Sequence, residues 1–213
     1  MKYEELLTRL GGHSFFDLAS VVQLTDERRE TIQMQLYRWS KKGKLIPLRR
    51  GMYAIPEPYI ARLVNPAELA NHLYTPSYLS TYWALGYYGL IPERVVTYTS
   101  ISSRGTRTFE NAFGEFTYQH IKPSAFFGYH PVQIDSRKVL MAEPEKALLD
   151  LWHLKTGKWT MERLIEMRFQ NMELVDSARL QKYAKRFASR RIAATVNKWL
   201  LLRDTEDKGT VQL

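Results

Sequence analysis

The sequence predicts an α+β fold, and three observations carry that expectation. A capped amphipathic helix runs into a short basic hairpin within the first quarter of the chain. The middle, from Val95 to Met141, is β-branched and aromatic with the two-residue alternation of strands. From Glu143 onward, helix starts and stops return. At 213 residues the chain has room for two small domains or one larger one, each able to bury a core.

In chain order, Tyr3 to Leu10 reads as a short amphipathic helix with Leu6, Leu7 and Leu10 inward and Gly11-Gly12 as its stop. Phe15 to Val22 reads as a second short helix, and Gln23-Leu24 as the turn into a third. The third has Thr25 as N-cap, Asp26 and Glu27 in its first turn, and Lys41, Lys42 and Gly43 at its end. Ile32, Leu36 and Trp39, at i, i+4 and i+7, form its inward stripe, and Gln33, Met34, Tyr37, Arg38 and Lys41 lie opposite. Leu45-Ile46 and Met52 to Ile55 then flank Leu48-Arg49-Arg50-Gly51, a hairpin with two arginines at its tip and a glycine free to take positive φ. A helix of this kind followed by a basic-tipped hairpin describes a winged helix-turn-helix domain over residues 1–56.

Residues 57–65 read as a linker with one helical turn over Tyr59 to Val64. Asn65-Pro66-Ala67-Glu68 is a helix start, with Asn65 as N-cap, Pro66 at the first position and Glu68 bonding back. Ser77 to Gly89 is read as another helix, with Leu79, Trp83 and Tyr87 on one face and Ala84 and Gly86 allowing close packing. Five short strands follow: one at Val95–Ile101, then a hairpin of Arg107–Phe109 with Phe116–Tyr118, and a pair of Val132–Ile134 with Val139–Met141 around Asp135-Ser136. Helices are expected from Glu143 through Trp152, over Met161–Phe169, over Ala178–Phe187 and over Arg190–Leu202, with a polar, frayed tail at 204–213. The whole is an N-terminal winged helix-turn-helix domain followed, over 66–203, by a mixed α/β domain with a small, largely antiparallel sheet and C-terminal helices.

Composition narrows the function. A net charge of +9 and a pI of about 9.6 favour a polyanionic partner, nucleic acid ahead of a membrane surface. There is no cysteine, which removes disulfides, thiolate metal sites and cysteine nucleophiles and fits a reducing cytosol. No apolar run approaches the roughly 18 residues of a membrane span, and the first residues do not read as a signal peptide, so a cytoplasmic location is expected.

The DNA-contacting candidates are Arg29, Gln33, Tyr37, Arg38, Lys41 and Lys42 on the helix, Lys44 after it, and Arg49 and Arg50 on the hairpin. Tyr37 to Gly51 holds six Lys/Arg and no acid. If all six met phosphates, the log–log salt slope of binding would be about −5. The competing reading is a solvated basic face, but cap, helix, stop and hairpin in this order favour DNA. A second basic cluster, Lys182, Lys185, Arg186, Arg190 and Arg191, reads equally as a phosphate-contacting patch on DNA or RNA or as a solvated helix face.

Four stretches in order carry a resemblance: the N-terminal helix-and-hairpin unit, Pro76 to Pro92, Thr106–Phe109 with Phe113–Phe116, and Ala142 to Asp150. Together they resemble the AbiEi-type antitoxins of type IV toxin–antitoxin (abortive infection) systems, over about residues 3–200. The resemblance implies a protein that binds inverted repeats in its promoter, represses its own operon, and counteracts a nucleotidyltransferase-like toxin through its C-terminal domain without a stable complex. It would be a monomer in solution or a dimer on DNA. The alternative is a standalone winged-helix regulator whose C-terminal domain binds a ligand or a protein.

No enzyme is expected. A nucleotidyltransferase needs a paired-carboxylate metal site beside a Gly-Ser phosphate loop, and neither pattern occurs. A restriction-type core needs Glu-x-Lys on a strand, whereas Glu143-Pro144-Glu145-Lys146 has the wrong spacing and a proline. A proline at the first helical position and a lysine one turn before an acid give Glu143 to Asp150 a structural role. His13, His72, His120, His130 and His153 are scattered, with no pair on one helical turn, so no metal or cofactor is expected.

Overall fold

The computed structural model describes residues 1–60 and 62–210, the side chains of 206–210 excepted. Two sheets organise it. The smaller has three antiparallel strands, β1 (Phe15–Asp17), β3 (Met52–Ala54) and β2 (Ile46–Arg49), in the order β1-β3-β2. Against it pack α1 (Tyr3–Arg9), α2 (Leu18–Gln23) and α3 (Arg29–Lys41), closing a core of Leu6, Val21, Ile32, Leu36 and Leu45. The inward stripe of α3 falls as expected: Ile32 and Leu36 are fully buried and Trp39 packs at the margin, edge-on to Tyr3 at 5.4 Å.

Two expectations in this unit are corrected. Phe15 and Phe16 do not open a helix: they pair with Ala54 and Tyr53, and the strand's alternation sends Phe15 to one side of the sheet and Phe16 to the other. The helix starts only after Asp17, whose carboxylate accepts from the Ser20 amide at 2.8 Å and caps α2. Helix α3 begins at Arg29, not after Thr25. Thr25 Oγ1 accepts from the Glu27 amide at 3.2 Å, and Gln35 donates to Glu27 Oε2 at 3.1 Å, so the expected cap and a first-turn acid hold the loop before the helix instead.

The larger sheet has six strands in the order β6-β7-β5-β4-β9-β8: β4 (Ser77–Leu79), β5 (Tyr98–Ser102), β6 (Arg107–Asn111), β7 (Gly114–His120), β8 (Tyr129–Ile134) and β9 (Arg137–Ala142). It is mixed, not largely antiparallel: β5/β7 and β4/β9 run parallel, while the other three pairings are antiparallel. Ser77 to Leu79 form strand β4 and not the first turn of the helix expected over Ser77 to Gly89. Leu79 pairs with Met141 and Ser100 at the sheet's centre, and the helix α5 (Thr81–Tyr87) starts only beyond it. A strand buried on both faces loses the polar alternation that would reveal it: Ser77, Tyr78 and Leu79 are all buried.

Helix α4 (Pro66–Leu73) has the expected cap, Asn65 accepting from the amides of Ala67 and Glu68, but Glu68 turns to Arg137 at 3.4 Å instead of bonding back. The helical turn expected over 59–64 is not formed among the described residues there, and residue 61 lies outside them. Helices α6 (Pro144–Leu154), α7 (Met161–Glu166), α8 (Ser177–Arg186) and α9 (Arg190–Thr210) cover the sheet around Trp152 and Trp199. The expected tail at 204–213 is helical to Thr210, and 211–213 lie outside the described residues. No helix described is long and apolar enough to cross a membrane.

The two sheets share hydrophobic surface. Leu48, Met52 and Ala54 leave the N-terminal core and join the larger one, with Phe15 and Ile46 packed beside them. Asn111, at the end of edge strand β6, donates to the Leu48 carbonyl at 3.3 Å.

Candidate nucleic-acid interface

The exposed side of α3 and the β2–β3 hairpin enclose a cleft of about 1090 Å³. Arg29, Gln33, Tyr37, Lys41, Arg49 and Arg50 line it. The structure therefore gathers six of the nine sequence-chosen positions around one concavity. Gly51 makes the hairpin turn with φ +73° and accepts the Leu18 amide at 2.8 Å, fixing the hairpin to the start of α2. Met34 and Tyr37 stand 52% and 53% exposed in the cleft, and the Lys41 ammonium lies 5.6 Å from the Tyr37 ring centroid.

The remaining candidates separate. Lys44 rests 4.8 Å over the Tyr3 ring, and Arg38 and Lys42 are exposed outside the cleft. Arg49 is not a tip residue. The irregularity between Pro47 and Arg49 brings Arg49 opposite Met52, which in turn faces Asp17, so all three share the side of the small sheet that meets the second unit. Arg49 is half-buried, its Nη1 donates to the Arg50 carbonyl at 3.2 Å, and its charge acts on Asp17 and on Tyr118 of β7. Burial pushes the Asp17 carboxyl up, but the hydrogen bonds from Ser20 together with the charge of Arg49 outweigh it and hold the group below its ordinary range. Sequence reading missed the other wall of the cleft, Asp17 to Ala19, Pro47 and Tyr53. Finding it needed the strand at Phe15–Asp17.

The second basic cluster is broken up by the fold. Arg191 donates to the carbonyls of His153, Lys155 and Gly157 at 2.8, 3.1 and 3.2 Å, closing the C-terminal end of α6. Arg186 lies 3.5 Å over the Phe127 ring. Lys182, Lys185, Arg186 and Arg190 are all exposed, Lys185 and Arg190 on a groove of about 420 Å³ between α8 and α9.

A third cluster has the residue types of a catalytic site. Lys146 contacts Asp150 Oδ1 and donates to the Tyr78 hydroxyl at 2.9 Å. Asp150 Oδ2 accepts from Tyr78 and Ser80 at 3.0 and 2.8 Å. All four side chains are fully buried, and the rings of Tyr78, Phe127 and Phe187 surround the ammonium at 5.1 to 5.4 Å. Burial lowers the Lys146 pKa against the pull of Asp150, and raises that of Tyr78 well above its ordinary value. The hydrogen bonds of Lys146 and Asp150 to Tyr78, and of Asp150 to Ser80, tie α6 to β4 and the residue that follows it.

Neither family models nor curated proteins match the chain. Among solved structures it is similar to the crystal structure of the RV2827C protein from Mycobacterium tuberculosis, with a TM-score of 0.54 and 12% identity, covering 92% of this chain and 76% of that one. At that identity the likeness concerns the fold alone.

Proposed function

We propose that the chain is a DNA-binding antitoxin of the AbiEi type, whose N-terminal unit is a winged helix-turn-helix that binds inverted repeats in its own promoter and represses the operon. One observation supports the DNA half above the others: the exposed face of α3 and the Arg50-bearing hairpin converge on a single cleft. The antitoxin half rests on the four sequence stretches that resemble that family, and it assigns the counteraction of a nucleotidyltransferase-like toxin to the second unit. On this reading the protein acts by binding and not by catalysis.

The test is carried out with the full chain. Repression of the native promoter and rescue of growth against the neighbouring toxin are scored for the parent, for Arg50→Glu with Lys41→Glu, and for a charge reversal at Lys182 and Lys185. Loss of repression with retained rescue in the first variant supports the reading. Absence of rescue by the parent leaves a plain regulator, and absence of promoter binding removes the DNA reading. A specific feature keeps the regulator alternative in view: a cleft of about 650 Å³ between the units, where Arg137 reaches both Ser14 and Glu68, at 3.5 and 3.4 Å, is placed to couple a bound ligand to the N-terminal unit.

A further inference from the structure

The charge on α3 is not spread evenly over its exposed side. At about 100° per residue, Arg29 and Arg38 fall about 180° apart on that side, with Lys42 about 40° beyond Arg38 toward the buried stripe. Between them run Gln33, Tyr37, Glu30 and Met34, all exposed, with Lys41 at the C-terminal end. Phosphate contact calls for cations, and of the five side chains between them only Lys41, in the last turn, can supply one. A thioether that is 52% exposed gains nothing from water or from phosphate. In a major groove the rims of a helix face the two backbones and the midline faces the base edges.

We infer that α3 reads an A·T-containing step: Gln33 bonds to the N6 and N7 edge of adenine, Met34 packs on the methyl group of a neighbouring thymine, and Arg29 and Arg38 hold the flanking phosphates. This rests on the DNA reading above and deepens it. Gln33 and Met34 lie in the first half of α3, the half that reaches base edges when such a helix enters the groove. Tyr37 and Lys41 lie farther along the helix, the Lys41 ammonium 5.6 Å from the Tyr37 ring centroid. Both reading residues stand on a well-anchored helix, since Ile32 and Leu36 on its opposite side are fully buried.

The experiment uses the full chain and a duplex selected by it from a randomised library. Thymines of the selected site are replaced one at a time by deoxyuridine, which removes only the methyl, and adenines by 7-deazaadenine, which removes only N7. For the parent, one deoxyuridine weakens binding about three- to fivefold, the worth of one buried methyl, and one 7-deazaadenine weakens it about tenfold, the worth of half a bidentate contact. Met34→Ala loses the deoxyuridine effect alone and Gln33→Ala the 7-deazaadenine effect alone, with thermal stability unchanged because both side chains are exposed. Sequence-selective binding that ignores both base changes, or effects that persist in both variants, overturns the readout while leaving DNA binding in place. Failure to select any duplex overturns the DNA reading itself, and turns the exposed midline toward a protein partner.

Discussion

Lys146 joins a buried polar cluster in the second unit. Its ammonium is fully buried with Asp150, Tyr78 and Ser80. Lys146→Met strands the Asp150 carboxylate without its cation and is expected to cost about 3–5 kcal/mol in urea denaturation. Adding Asp150→Leu recovers part of the loss, since two apolar groups leave only hydroxyls to satisfy. Gly128 is tied to this cluster: its φ is +70°, and an added Cβ would stand 3.0 Å from the Tyr183 ring and 3.2 Å from the Lys146 stem. Gly128→Ala is expected to destabilise by about 2–4 kcal/mol, overpacking and backbone cost together. Burial and the bond to Glu143 push the Tyr183 hydroxyl up to about 12, and burial holds Tyr78 well above its ordinary value. The native state keeps these protons while the unfolded chain releases them near pH 10, so their contribution is whole below about pH 10 and lost as pH rises toward about 12. Urea midpoints that fall through that range, with native tyrosinate absorbance lagging behind that of the unfolded chain, are the expected signature.

Among the elements, α3 and its hairpin carry the binding prediction. Lys44 is engaged by Tyr3 and Arg49 by the seam, so Arg29, Arg38, Lys41, Lys42 and Arg50 remain for phosphates. Five contacts give a log–log salt slope of about −4.5. Arg50→Ala should reduce its magnitude by about 0.9, whereas Arg49→Ala should leave the slope intact and cost about 1 kcal/mol of stability. Titrations by fluorescence anisotropy at several salt concentrations separate the two arginines. The exposed side of α3 was legible in the sequence because its buried stripe follows the helical period without exception. The place of Arg49 was not, because a one-residue irregularity in a short strand reverses a side chain without any compositional mark. The same limit hid β1 and β4. Three-residue strands are too brief for period to speak, and Phe15 to Val22 contains enough apolar residues to imitate a helix. The Glu143 to Asp150 helix was legible through its N1 proline and the pairing of Lys146 with Asp150 through their one-turn spacing, while Tyr78, 68 residues from Lys146 along the chain, was not.

At the scale of the molecule, the two sheets form a continuous apolar body. Leu48, Met52 and Ala54 are hairpin residues by sequence and members of the larger core by contact. One cooperative unfolding transition is therefore expected for the full chain, seen alike by tryptophan fluorescence and far-ultraviolet circular dichroism. The fragment 66–213 uncovers the surface that these three residues fill and is expected to melt lower than the full chain and to self-associate. Two well-separated transitions would refute the shared core. The seam also bears on ancestry and engineering. A domain joined by a tether can be traded between proteins as a cassette, but here one side of the N-terminal unit is tailored to its neighbour. A chimera carrying another protein's residues 1–56 must be recut at Leu48, Met52, Ala54 and the Asn111 end of β6, so the identities of the two units are expected to be inherited together.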